Sequence, residues 1–227
     1  SPNATRSCTT ATLSAAASGS SFAVSAATVP AASTCTYSVT TTVTSTGDKV
    51  NTIPAGGLTG SYGTVAVASL DPASATIQVS APLTIVKSSL AYSDPLNNTA
   101  NPKLIPGSYV HYTVTVANPG GLPVTSGTIL ITDSTPANLS LYVANLPGAT
   151  GPLVFAAGSS GATYTFSGLA STTDDLEFSN NGGSTWTYVP TANGAGADPA
   201  ITHMRIRPKG TMAAGSSFTL NFGYLVK

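Results

Sequence analysis

Apolar and polar residues alternate one for one along two stretches of this chain. In 109–117, Val110, Tyr112, Val114 and Val116 share one face while His111, Thr113 and Thr115 take the other; in 217–226, Phe218, Leu220, Phe222, Tyr224 and Val226 stand opposite Thr219, Asn221 and Gly223. A period of two marks a strand with one face against a core and one against water. Helical signals are nearly absent, because one Glu, abundant Thr and Val, 22 Gly and 16 Pro favour short strands between turns. Strands are predicted over 9–15, 21–29, 35–44, 63–70, 75–80, 83–92, 109–117, 127–132, 139–143, 153–156, 163–167, 176–179, 185–189, 201–207 and 217–226. The chain is expected to be all-β.

The sharpest turn signal is Asn181-Gly182-Gly183, between Phe178 and Trp186. Asn-Gly supplies the positive φ angles of a tight hairpin, which would set Trp186 and Tyr188 on one face opposite Phe178. A boundary is expected near Ala81-Pro82, after the turn at Asp71-Pro72. It divides the chain into 1–82, slim for a domain, and 83–227, ample for a seven-to-nine-strand sandwich.

Composition narrows the function. Charged residues are 7% of the 227, eight basic against eight acidic, so there is no electrostatic footprint for nucleic acid. Arg205, Arg207 and Lys209 alternate with Met204 and Ile206 and read as the wet face of one strand. Solubility comes instead from 35 Thr and 29 Ser, a neutral skin that permits dense self-association. No apolar run approaches the ~20 residues of a membrane helix. Ser1 follows no charged and apolar leader, so a mature, exported chain is expected. Cys8 and Cys35, with no His or second cysteine pair nearby, point to a disulfide rather than a metal site; two free thiols are the alternative. A disulfide closing that loop would stabilise the fold by roughly 3 to 4 kcal/mol in the chain-entropy model.

Candidate chemistry is sparse. His111 and His203 each lie inside a predicted strand and read as surface or packing residues rather than bases, so no catalytic residue is assigned and no enzyme is expected. Asp174, Asp175, Glu177 and Asn180 form a set of hard oxygen donors that could hold calcium, although the spacing fits no EF-hand and turn capping is the competing role. Asn3, Asn97 and Asn138 open glycosylation triplets, which also arise by chance in a chain so rich in Ser and Thr.

Residues 83–227 resemble the bacterial and archaeal surface repeat known as the conserved repeat domain, or domain of unknown function eleven. The resemblance is carried by Lys87, Asp94-Pro95, Asn101-Pro102, Pro106-Gly107, the run from Tyr112 to Val116, Asn118, Thr132-Asp133 and Pro136, with the stretch from Thr163 to Phe218 as a continuation. It implies an Ig-like sandwich, export and structural service at a cell surface. Residues 1–82 resemble the back half of a related surface module, on Ala27 to Ala31, Cys35 to Thr40, Gly47, Asn51 to Gly56, Leu58-Thr59 and Gly63. The opening strands of such a module are missing here.

The expected architecture is therefore two Ig-like β-sandwich modules, the first incomplete and completed by a strand from a neighbouring subunit. A sandwich short of a strand leaves apolar side chains and backbone N–H and C=O groups unpaired, and another copy can fill the gap by strand addition. Repeated head to tail, that contact builds an open filament. Candidate donors are the terminal strand with Phe218, Leu220, Phe222, Tyr224 and Val226, which can equally be the last strand of its own sandwich, and the amino-terminal segment up to Leu13. The expected function is a structural subunit of an extracellular fibre that polymerises with copies of itself; the alternative is a two-module piece of a long surface adhesin that binds a glycan or host ligand.

Overall fold

A computed structural model describes residues 4–8 and 10–227. Two compact units, Ser1–Thr46 and Gly47–Lys227, are separated by the pattern of internal contacts. Among the described residues there is no helix, and every ladder is antiparallel. The division falls at residue 46, ahead of the Ala81-Pro82 boundary, because the hairpins of 47–79 are grouped with the sandwich that follows.

In the first unit, β1 (Ala4–Arg6), β2 (Thr12–Ala15), β3 (Phe22–Ser25) and β4 (Tyr37–Val39) form two separate two-stranded ladders, β1 with β4 and β2 with β3. Leu13, Ala15, Phe22, Tyr37 and Val39 are half-buried, and Ala11 alone is fully buried among the described residues of this unit. The expected disulfide is present: Cys8 and Cys35, with Cα atoms 5.5 Å apart, link the chain just after β1 to the chain just before β4. Ser7 N–H donates to the Thr36 carbonyl at 3.0 Å, extending the same ladder.

The second unit opens with β5 (Lys49–Ile53), β6 (Thr59–Tyr62), β7 (Val65–Ala68) and β8 (Ala73–Ile77), in which β6–β7 is a hairpin nested inside the β5–β8 pair. The sandwich follows with β9 (Thr84–Ser93), β10 (Tyr109–Asn118), β11 (Ile131–Ser134), β12 (Leu139–Tyr142), β13 (Leu153–Ala156), β14 (Leu176–Ser179), β15 (Ala197–Asp198), β16 (His203–Ile206) and β17 (Ser216–Val226). One sheet runs β15-β12-β17-β10-β9 with β13 also on β17; the other is β11-β16-β14. Register explains the core. Val110, Tyr112, Val114 and Val116 lie directly across from Tyr224, Phe222, Leu220 and Phe218, and this face meets Ile131, Leu176, Phe178, Met204 and Ile206 of the second sheet.

Two predicted strands are not strands. The segments 163–167 and 185–189 are extended, and Tyr164, Phe166 and Tyr188 pack on the core, but side chains take several of their backbone amides. Thr165 N–H donates to Asp175 Oδ2 at 2.7 Å, Ser167 N–H to Asp174 Oδ2 at 2.9 Å, and Thr185 N–H to Asn181 Oδ1 at 3.0 Å. The expected 178–186 hairpin is corrected accordingly. Gly182 and Gly183 do have φ of 73° and 82°, yet β14 pairs with β16, and only Tyr188 N–H reaches back to the Phe178 carbonyl, at 3.3 Å.

Candidate functional site

The feature with the clearest capacity for interaction is β9. It is ten residues long, bonded on one side to β10, and it ends the strand order of its sheet. Its outward face carries Val86, 65% exposed, and Leu90, 64% exposed, with Thr84 and Ser88 among them, and Ile85 on the opposite face is 60% exposed. A long apolar edge with unpaired backbone groups is a template for another strand. The ladders before it have the complementary shortage. In residues 4–82, Val50, Ile53, Leu58, Tyr62, Val65, Leu70 and Ile77 are all exposed. Isolated two-stranded ladders of this kind are marginal without a partner surface.

Beside the β9 edge lies a partly exposed polar cluster. Opposite Val114 in register, β9 turns Lys87 onto its inner face, and β11 turns Asp133 onto the same face as buried Ile131. Lys87 Nζ stands 2.5 Å from Asp133 Oδ1, with side chains 33% and 15% exposed. The ammonium also sits 4.7 Å from the Tyr112 ring centre and 5.6 Å from that of Phe222, which are stacked on each other. From β17, the fully buried Tyr224 donates its hydroxyl to Asp133 Oδ2 at 2.9 Å. Burial, then the charge of Asp133, drives the Tyr224 hydroxyl far above the ordinary tyrosine range, so it remains a donor. Lys87 and Asp133 carried only the surface-repeat resemblance in the sequence. The local signal for them is a charge at an i, i+2 position in a face that also carries Ile85, Ser89 and Ala91, or Ile131.

The terminal strand residues are placed differently from a donor. Phe218, Leu220, Phe222 and Tyr224 are buried and Val226 is half-buried, with β10 on one edge of β17 and β13 and β12 on the other. This is the central strand of its own sheet, with no edge free.

The calcium set does not converge. Asp174 accepts from the backbone of Ser167 and Leu176, Asp175 pairs with Lys209 Nζ at 2.9 Å, and Glu177 pairs with Arg205 at 2.6 Å and Arg207 at 3.1 Å, while Asn180 is exposed on the turn beyond. No group of three His, Cys, Asp or Glu is gathered as for a metal among the described residues. The turn-capping role explains Asp174 and Asp175. His111 rests edge-on to Tyr92, and His203 edge-on to Trp186, whose ring also carries Arg205 at 4.3 Å. The alternation of Arg205 and Arg207 with buried Met204 and Ile206 is as expected for a half-wet strand. Asn97 and Asn138 are exposed in turns, Asn97 also donating to Asp94 Oδ2 at 3.0 Å; Asn3 lies outside the described residues. No helix among the described residues is long and apolar enough to cross a membrane.

Comparison with known proteins reaches the amino-terminal part alone. Residues 1–79 match the model of a family described as a domain of unknown function, DUF7933. No curated protein and no solved structure matches the chain. The similarity thus covers well under half of the 227 residues and ends beside the Ala81-Pro82 boundary expected from the sequence.

Proposed function

We propose that this protein is a structural subunit of an extracellular fibre, in which the coreless ladders of residues 1–82 of one copy complete themselves on the open β9 edge of the next. The observation that carries the reading is the pairing of surplus and deficit in one chain: a ten-residue edge strand with Ile85, Val86 and Leu90 exposed and a preceding region in which many apolar residues are exposed. Such a contact uses different surfaces on the two copies, so it does not close and extends into a filament. The donor then belongs to the amino-terminal region rather than to β17, whose edges are already occupied. The resemblance of residues 83–227 to the bacterial and archaeal surface repeat supports placement outside the cell. So does the Cys8–Cys35 disulfide, a bond that persists in oxidising compartments.

Electron microscopy of the purified protein tests this. Filaments are expected from the wild type, and Val86→Lys with Leu90→Lys should leave folded monomers, because charge on an edge blocks strand addition. Uniformly monomeric wild-type particles would reject the reading. A second reading, a two-module piece of a longer adhesin, is favoured by one feature, a shallow cleft lined by Leu169, Thr172, Trp186 and Tyr188. Glycan-array binding lost in Trp186→Ala would move the assignment there.

A further inference from the structure

We propose that Lys87 and Asp133 condense into an intramolecular amide that staples β9 to the opposite sheet. The geometry sets the two groups against each other: the Lys87 nitrogen lies 2.5 Å from a carboxylate oxygen of Asp133, on strands of two different sheets, beside the stacked rings of Tyr112 and Phe222. Holding reactants in this way can raise their effective concentration to about 10⁵ M or more.

The step balances without any outside reagent. The Lys87 ammonium passes one proton to the Asp133 carboxylate, leaving a neutral amine beside a neutral acid. The Nζ lone pair then attacks Cγ, forming the N–C bond and a tetrahedral centre whose negative charge gathers on Oδ2. Tyr224 already points its hydroxyl at Oδ2 from 2.9 Å, as a donor to a developing oxyanion must. A second proton moves from Nζ to Oδ1, the Cγ–Oδ1 bond breaks, and Oδ1 leaves as water. Ammonium plus carboxylate has become amide plus water, with no redox change.

A simpler role for an inward lysine on an edge strand is to discourage mispairing, with Asp133 as its counter-ion. Mass separates the two. Intact-mass spectrometry of the folded, then reduced and denatured full chain should show a deficit of one water. Proteolysis should yield a branched fragment joining the peptides of Lys87 and Asp133. Lys87→Arg should keep full mass. Asp133→Asn should reach the same cross-linked mass by losing ammonia instead. Tyr224→Phe should form the bond about 100-fold more slowly, the usual cost of one oxyanion donor. A wild-type chain that keeps its full mass after prolonged incubation, while near-UV circular dichroism reports an intact fold, would leave only an ion pair and overturn the proposal. The measurement is made on single chains, so its outcome is independent of whether filaments form.

Discussion

Asp94 shows how a single buried carboxylate can organise a loop. It is 4% exposed and accepts from the backbone N–H groups of Leu96, Asn97 and Lys103 at 2.7, 2.5 and 2.6 Å. These bonds, the Asn97 amide foremost, outweigh burial and lower its pKa to about 2 from the ordinary 3.8. A folded-state value below the unfolded one gives stability that is complete above pH 3.8 and is lost as pH falls toward 2. Protection of the Leu96, Asn97 and Lys103 amides, taken relative to the unstructured-chain exchange rate at each pH, should therefore fall through that window before protection in β10 and β17 does. On the alkaline side, burial first, then Tyr142 and Tyr92, push Tyr109 up to about 12 from 10.0. The stability it contributes is complete below pH 10 and is lost as pH rises toward 12. An ultraviolet titration should find one fewer tyrosine ionising near pH 12 in Tyr109→Phe than in the wild type.

Between elements, the outer face of the larger sheet carries a row of rings. Tyr92 on β9, Tyr109 on β10 and Tyr142 on β12 meet edge to face at 5.9 and 5.3 Å, and β17 crosses beneath them at Gly223. A Cβ there would collide with the Tyr109 ring, so Gly223→Ala should cost about 1–3 kcal/mol in chemical denaturation, the usual range for forced overpacking. Strands with strict alternation were legible: 109–117 and 217–226 lie within one residue of β10 and β17, and 153–156 and 176–179 coincide with β13 and β14. The misread segments have the same side-chain rhythm, since Tyr164 and Phe166 do point inward, but Asp174 and Asp175 satisfy amides that a ladder would otherwise take. Periodicity reports which side chains are buried, not what the backbone bonds to. β5 and β6 went unread for the opposite reason, because nearly all their residues are exposed and long-range pairing alone defines them. The Lys87–Asp133 pair was illegible as a pair, being 46 residues apart and brought together only when two sheets stack.

For the molecule as a whole, the two units should respond differently to reduction. The first unit holds two short ladders and little interior, so the loop closed by Cys8–Cys35, 27 residues long in sequence, supplies about 3 to 4 kcal/mol that its packing does not. Cys8→Ser with Cys35→Ser should expose β1 to β4 to limited proteolysis while leaving the sandwich from β9 to β17 resistant; equal resistance of β1 to β4 and the sandwich would show that packing suffices. One further consequence follows from β17. The strand with the most partners, joined to β10, β12 and β13, is also the last strand of the unit to leave the ribosome. Until Val226 is made, β10 lacks a central neighbour and the larger sheet cannot close. Closing the larger sheet therefore waits on the residues of β17, and hydrogen exchange should find β10 and β17 gaining protection together.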